Sequence, residues 1–220
     1  MSDLADILEG IRSGFEAEDA ARERALQDSR TLIRLSAQTI RGIHREEWES
    51  AESMLTDTRQ AAHSLIARSQ ALPKIYYAGY TQDALKEYVE ASLLYAFLRR
   101  QPVPTPDDLG VEGSTWLNGL SEAATELRRR ILDIIRPGHS QEAEQLLGLM
   151  DEIYSLLMSL DFHDSITDGL RRRVDTVRGV LERTRGDVTT SLRQAQLEQA
   201  LSDMEHRLAG APVTTPTALQ

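Results

Sequence analysis

The stretch LKEYVEASLLYAFLRR, Leu85–Arg100, predicts an α-helix that is packed on two sides. Apolar residues recur three and four positions apart on two of its faces, and the second face, with Leu94 and Phe97, also carries Glu87 and Glu90. Glutamates three positions apart on a helix project in the same direction, so both carboxylates can bind one hard cation such as Mg²⁺. The alternative is that both are solvated surface acids, as most glutamates are.

A second pair of acids occurs in SEAATELRRR, residues 121–130, where Glu122 and Glu126 are one helical turn apart. The two pairs provide four carboxylates on two helices, which could converge on a magnesium site. Glu126 has Arg129 and Arg130 at spacings that favour ion pairs worth about 0.2–0.5 kcal/mol each, so ion pairing is an equal alternative for this residue. Glu122 has no cation four positions further on, which makes it the better ligand candidate.

The rest of the chain also has helical periodicity, without the sustained alternation that is typical of strands. About seven helices are predicted, at approximately 2–43 with a break at Gly14, 46–71, 81–100, 114–136, 140–160, 169–184 and 188–208. Leu72-Pro73 is predicted to end the second helix, Thr81 to cap the third, and Gly186-Asp187 to separate the last two. The expected fold class is all-α, with a single-domain bundle over residues 1–208 and a flexible C-terminal tail over residues 209–220.

The composition excludes several classes of protein. Cysteine is absent from the 220 residues, which excludes disulfide frameworks and thiolate metal sites and fits a reducing compartment. The opening MSDLADILEG carries acids where a secretory signal has basic residues, and no run of about 18 apolar residues occurs. These observations predict a cytoplasmic protein that does not enter a membrane.

The formal net charge of −10, taken alone, argues against a nucleic-acid partner. Of the 25 basic residues, however, only Lys74 and Lys86 are lysine. An excess of acids with arginine in place of lysine is typical of proteomes adapted to high salt or of GC-rich genomes. At molar salt the Debye length is about 3 Å, so the local placement of arginines decides the binding of an anionic ligand. The net charge therefore does not exclude nucleic acid.

Four stretches together resemble the translin superfamily, and they are more similar to its archaeal members and to translin-associated factor X than to translin itself. In chain order they are ARERALQDSRTLIRLSAQTIRGIHR, GYTQDALKEYVEA, STWLNGLSEAATELRRRILDII and LRRRVDTVRGVLERTRGD. The resemblance covers about residues 20–190, and KEYVEA is its most specific element. It implies a seven-helix all-α subunit that assembles into a closed, hollow homo-oligomer, usually an octamer, enclosing single-stranded RNA or single-stranded DNA.

The factor X branch is a magnesium-dependent endoribonuclease, so the resemblance implies an Mg²⁺ or Mn²⁺ cofactor. Its EYVE motif falls on Glu87 and Glu90, its G-x-x-acid motif on Gly119 and Glu122, and the further glutamate of that helix on Glu126. The implied catalytic set has the first three glutamates as metal ligands, with Glu126 orienting a ligand or water. The branch usually has aspartate where Glu122 stands here, so this carboxylate is one methylene further from the backbone, a difference that bears on activity more than on metal binding.

The candidate nucleic-acid-binding residues are arginines near the acidic helices and tyrosines before the EYVE motif, namely Arg99, Arg100, Arg128, Arg129, Arg130, Tyr77 and Tyr80. The arginines would contact phosphates, and the tyrosine rings would stack on unpaired bases. Residues 171–173 are three further arginine candidates. The arginines have an alternative as helix-terminal or surface charges, and the tyrosines as core or interface residues. The five histidines have no metal-ligand spacing and are assigned no chemistry.

Three function classes follow from these observations. The first is a magnesium-dependent endoribonuclease that cuts single-stranded RNA, and acids at all four positions favour it. The second is a non-catalytic, translin-like oligomer that binds single-stranded RNA or DNA, which the greater length of Glu122 would favour. The third is a helical scaffold with no role in nucleic-acid binding, which exposed, ion-paired acids would favour.

Overall fold

Residues 3–209 are described by the computed structural model, and over this range the chain consists of helices and loops without β-strands. The long helices are α1 (Leu4–His44), α2 (Trp48–Ser69), α4 (Gly79–Arg99), α6 (Gly113–Ile135), α7 (Gln141–Met158) and α9 (Leu170–Ala209). The one-turn helices are α3 (Pro73–Tyr76), α5 (Pro106–Leu109) and α8 (Asp164–Thr167). The predicted all-α class is confirmed.

Two expectations from the sequence concern the C-terminal tail and membrane insertion. The predicted tail at 209–220 lies outside the described residues, apart from Ala209, which is the last residue of α9. Within the part that is described, no helix is both long enough and apolar enough to cross a membrane.

Helices α4 and α6 pack against each other at the centre of the bundle. On one side α1 packs on α2 and α4, and on the other side α7 and α9 pack on α6. Leu85, Val89 and Leu93 of α4 are fully buried, and so is Leu94 on its other face, so the prediction of a helix packed on two sides is confirmed. An acid on such a helix is removed from water, which disfavours its charged form.

The last two predicted helices are one continuous helix. Helix α9 runs without interruption past Gly186-Asp187, so the predicted break there was wrong. A glycine inside a helix costs only about 1 kcal/mol relative to alanine, and the buried side chains of Leu181 and Val188 hold α9 against the bundle on both sides of it. The predicted break at Gly14 was wrong as well, because α1 is continuous through it.

Helix α4 begins at Gly79, two residues before the predicted start, and its N-cap is Ala78 rather than Thr81. The Thr81 hydroxyl instead donates a hydrogen bond to the carbonyl oxygen of Ile75 at 2.7 Å, which ties α3 to α4. At the other end Arg100 adopts the left-handed conformation, with φ of 53°, and terminates the helix. Both ends of the helix that carries Glu87 and Glu90 are therefore fixed by local contacts.

Gly119 allows α6 to approach α4 closely. A Cβ atom at this position would lie 2.6 Å from the Cβ of Val89 and 3.0 Å from the carbonyl oxygen of Lys86. These distances are shorter than van der Waals contact, so a larger residue would push the two helices apart. The acids singled out above are divided between α4 and α6, and this contact therefore sets the spacing between them.

We expect Gly119→Ala to lower the free energy of unfolding by about 1–3 kcal/mol, because the added methyl group overpacks the contact between α4 and α6. Urea denaturation followed by circular dichroism measures this change. Gly148→Ala is the matched control, since a Cβ there meets nothing within 4 Å. The control is expected to be neutral or stabilising by up to about 1 kcal/mol, as alanine is the better helix former. Equal losses in both variants would contradict the close approach.

Candidate functional site

Three glutamates converge where α4 and α6 meet. Glu87 and Glu90 come from α4 and Glu122 from α6, and each offers a carboxylate oxygen such that these atoms all lie within 4.8 Å of one another. We call these three residues the acidic cluster. Glu90 is buried, with 7% of its surface exposed, and the other two are half-buried. Three of the four acids predicted from the sequence are in this cluster. The fourth, Glu126, lies one helical turn further along α6.

Burial raises the pKa of Glu90 to about 9, and the negative charges of Glu87, Glu122 and Glu126 add to the effect. The nearby ammonium group of Lys86 opposes this rise only in part. The Glu90 carboxyl therefore holds a proton at neutral pH in the ion-free protein. It would ionise readily only with a further cation placed against it, because a metal ligand has to be deprotonated.

Lys86 contacts two carboxylates of the acidic cluster. Its Nζ donates a hydrogen bond to Glu122 Oε1 at 2.7 Å and lies 3.3 Å from Glu87 Oε1. Burial disfavours the charged form of this lysine, but the hydrogen bond to Glu122 and the two carboxylate charges outweigh burial and raise its pKa. The guanidinium of Arg173, on α9, also donates to Glu122 Oε1. Two basic side chains thus share one carboxylate of the cluster.

Glu126 is held by a histidine from α1. The Nε2 atom of His44 lies 2.7 Å from Glu126 Oε2, and the His44 side chain is only 1% exposed. This hydrogen bond is the largest cause of the lowered pKa of Glu126, and the charges of His44 and Arg129 support it against the effect of burial. Glu126 is therefore an ionised hydrogen-bond acceptor beside the cluster.

Two of the arginines predicted to bind nucleic acid are paired with acids of the same chain. Arg128 Nη1 lies 2.7 Å from Asp187 Oδ2. This ion pair gives a partner to Asp187 inside α9, where an aspartate is otherwise unfavourable. Arg130 pairs with Glu46 and, at 3.2 Å, with Glu142. Its predicted pairing with Glu126 does not form, because these two acids take its place. Both guanidinium groups serve contacts between helices.

The other three predicted arginines are exposed. The guanidinium carbon of Arg99 lies 5.1 Å above the centre of the Trp48 ring, and Arg100 donates a hydrogen bond to Gln145 at 2.8 Å.

Arg129, two helical turns of α6 beyond Glu122, forms no ion pair within 4.0 Å in the described part of the chain. The further candidates Arg171 and Arg172 are also exposed and outside the described ion pairs, so Arg129 is one of three predicted arginines that could contact a phosphate without leaving a described side-chain contact.

The two predicted tyrosines have different surroundings. Tyr77 is 63% exposed, and its ring packs edge-on against that of Tyr76, with 4.9 Å between the ring centres. Tyr80 is half-buried against the core and lines an open cavity of about 390 Å³ together with Phe15 and Lys74. An exposed ring such as Tyr77 is available for stacking, whereas Tyr80 contributes to packing.

The acidic cluster suits a hard divalent cation. Its donors are all carboxylate oxygens, the kind of ligand that Mg²⁺ and Mn²⁺ prefer. Burial and the negative charges of three neighbouring carboxylates disfavour the ionised form of Glu90, so a cation bound there would offset an unfavourable environment. The cluster can therefore hold a metal ion.

Sequence reasoning missed two residues of the site. Lys86 directly precedes Glu87 in KEYVEA and is one of two lysines in the chain, which is a signal that could have been followed. His44 offers no such signal, because its partner Glu126 is 82 residues away in the sequence. Contacts of this kind become visible only in the folded chain.

Comparison with known proteins gives relatives over most of the chain, although no protein-family model matches. An uncharacterized protein of Methanocaldococcus jannaschii, MJ0175, is 28% identical over 193 residues, which is 86% of this chain and 84% of that protein.

Solved structures match over a similar share of this chain. The archaeal AfC3PO, in complex with duplex RNA, is 32% identical with a TM-score of 0.79, and the match covers 85% of this chain and 97% of that chain. The crystal structure of AfC3PO matches over the same lengths and with the same identity, with a TM-score of 0.78. Apo-NeC3PO from Neurospora is 22% identical with a TM-score of 0.78 over 87% of this chain and 100% of that one, a likeness of fold alone.

Proposed function

Because this chain belongs to the translin superfamily, we propose that it is an RNA-binding, metal-dependent endoribonuclease of the translin-associated factor X type. Its proposed active centre is the acidic cluster of Glu87, Glu90 and Glu122. The observation that carries the proposal is the convergence of these three carboxylates, from two helices, to within 4.8 Å of one another. The structure of a relative in complex with duplex RNA supports RNA as the partner.

Each acid has a distinct proposed role. Glu87, Glu90 and Glu122 would hold Mg²⁺ or Mn²⁺ through carboxylate oxygens. When bound, such an ion stabilises negative charge on a phosphodiester and lowers the pKa of water. Glu126, fixed by His44, accepts a hydrogen bond and can orient a water molecule toward the cluster. Arg129 and the exposed ring of Tyr77 are the proposed contacts for phosphate and base.

The proposed assembly is a closed, hollow homo-oligomer, with eight subunits as the expected number. Four apolar side chains near the end of α7 and on α8 support it, because their exposed fractions are unusual for a surface that stays in water: Leu156 58%, Met158 56%, Phe162 62% and Ile166 67%. Light scattering on the eluting protein should give eight times the chain mass of 24.6 kDa. The proposed place of action is the cytoplasm, in line with a chain free of cysteine.

One experiment tests the proposed function. Labelled single-stranded RNA, single-stranded DNA and duplex RNA are each incubated with purified protein in Mg²⁺, in Mn²⁺ and in EDTA, at low and at high salt. We expect single-stranded RNA to be cut internally with either ion and to remain intact in EDTA. Cleavage that is unchanged by EDTA would contradict a metal-dependent nuclease.

A non-catalytic RNA- or DNA-binding oligomer is the second candidate. Two properties of Glu122 favour it. The side chain is longer than the aspartate implied by the resemblance, and both Lys86 and Arg173 contact its carboxylate. Binding without cleavage under every condition of the same experiment would support it. Binding to none of the three nucleic acids, at either salt concentration, would instead support a helical scaffold.

A further inference from the structure

The ammonium group of Lys86 lies between two carboxylates of the acidic cluster. It is 2.7 Å from Glu122 Oε1 and 3.3 Å from Glu87 Oε1, and its side chain is only 12% exposed. The other lysine of the chain has an ordinary surface environment, with Lys74 78% exposed and paired with Glu18. The Lys86 ammonium group is therefore a partly buried charge in contact with two of the carboxylates proposed to bind a metal ion.

Two basic side chains face the cluster in the absence of a metal ion. The two facing cations, Lys86 and Arg173, both contact Glu122, and Lys86 also contacts Glu87. A divalent ion added to this arrangement would lie within a few Å of the ammonium group and be strongly repelled by it.

The two cations differ in how easily they can leave. Lysine is a compact charge on a flexible stem of four carbons, whereas arginine presents a planar, rigid fork. Lys86 also bridges two carboxylates from different helices, as a shared metal ion would. Arg173 contacts one of them, Glu122.

We propose that Lys86 is the resident cation of the acidic cluster: it bridges Glu87 and Glu122 while no divalent ion is bound, with Arg173 in support, and it withdraws when the ion binds. The inference rests on the proposed metal site. It follows that Lys86 stabilises the ion-free protein and at the same time raises the concentration of divalent ion needed to fill the site.

Lys86→Met tests the inference, since methionine keeps an unbranched stem and removes the charge. The dissociation constant for Mg²⁺ and for Mn²⁺ is measured by titration calorimetry, without RNA. We expect the variant to bind either ion at least about tenfold more tightly than the wild type, because a repelling charge a few Å away has been removed. Lys86→Arg keeps the charge on a more rigid side chain and should bind either ion no more tightly than the wild type, and Lys74→Met, the same change on the surface, should not alter ion binding.

A second variant and a second measurement guard against a folding defect. Arg173→Met should also tighten ion binding, with Arg178→Met as its control, because Arg178 pairs with Glu182 on the exposed side of the same helix. In EDTA, Lys86→Met should lower the melting temperature, and adding Glu87→Gln should recover part of that loss, since Lys86 is the ion-pair partner of Glu87 among the described residues, whereas Glu122 keeps Arg173.

The outcomes separate the inference from the proposed function. If the wild type binds Mg²⁺ or Mn²⁺ and Lys86→Met binds no more tightly, the inference is overturned and the metal site stands. Strictly additive changes in melting temperature for Lys86→Met and Glu87→Gln would also overturn it. If neither the wild type nor Lys86→Met binds either ion, the proposed function fails and the inference fails with it.

Discussion

Replacing Glu87 or Glu122 with glutamine is expected to reduce the metal-dependent cleavage of single-stranded RNA by at least about 100-fold. Each substitution removes one negative oxygen donor from a set of three, and an amide is a poor ligand for a hard cation. Because the variants carry less negative charge, their binding of RNA in EDTA should be no weaker than that of the wild type. Single-turnover cleavage and a filter-binding assay on the same preparations measure the two effects.

Glu182→Gln is the matched control for these variants, because Glu182 lies on the exposed surface of α9 and pairs with Arg178. It should cut RNA at the rate of the wild type. The assembly mass should be the same for the control and for both cluster variants, so that a loss of cleavage cannot come from dissociation. Normal cleavage by Glu87→Gln or by Glu90→Gln would show that the acidic cluster is not the active centre.

Glu90→Gln is expected to stabilise the ion-free protein, and by more as the pH rises. The ordinary pKa of this carboxyl is 4.5, and in the folded chain it is raised to about 9. Between these two values the unfolded chain holds fewer protons at this group than the folded chain, so the free energy of unfolding of the wild type falls as the pH increases. Glutamine does not titrate, and the variant therefore loses this contribution to the pH dependence.

The gap between the variant and the wild type should widen from pH 5 to pH 8 by on the order of 1 kcal/mol per pH unit. Urea denaturation in EDTA at a fixed protein concentration, repeated at each pH, gives this difference. Glu49→Gln, at an exposed position on α2, is the control and should follow the wild type. A gap that stays constant or narrows with pH would mean that Glu90 is ionised in the folded, ion-free protein.

The central helices could be predicted from the sequence because their signals are local. Two apolar faces around Leu85 and Leu94 required burial on both sides, and the spacing of Glu87 and Glu90 put both acids on one face. The sequence singled out Gly119 only because it belongs to a motif. The structure gives the physical reason for a glycine there, since a Cβ atom would have no room. Where neighbouring residues decide the outcome, the sequence was sufficient.

The features that the sequence did not reveal depend on distant partners. Whether an arginine is free or paired cannot be deduced from its neighbours, and Arg128 finds its partner Asp187 on another helix. The same pair helps explain why α9 continues through a glycine that was predicted to end it. His44 and Glu126 likewise meet only because α1 packs near α6 in the folded bundle.

The placement of Lys86 on α4 has a consequence for the order in which the chain is synthesised and folds. Helices α4 and α6 are close neighbours in the sequence, so the three glutamates can come together as soon as this segment has left the ribosome. Arg173 belongs to α9 and is translated later. Of the two basic side chains that contact the cluster, Lys86 is therefore the first to be available to it during synthesis.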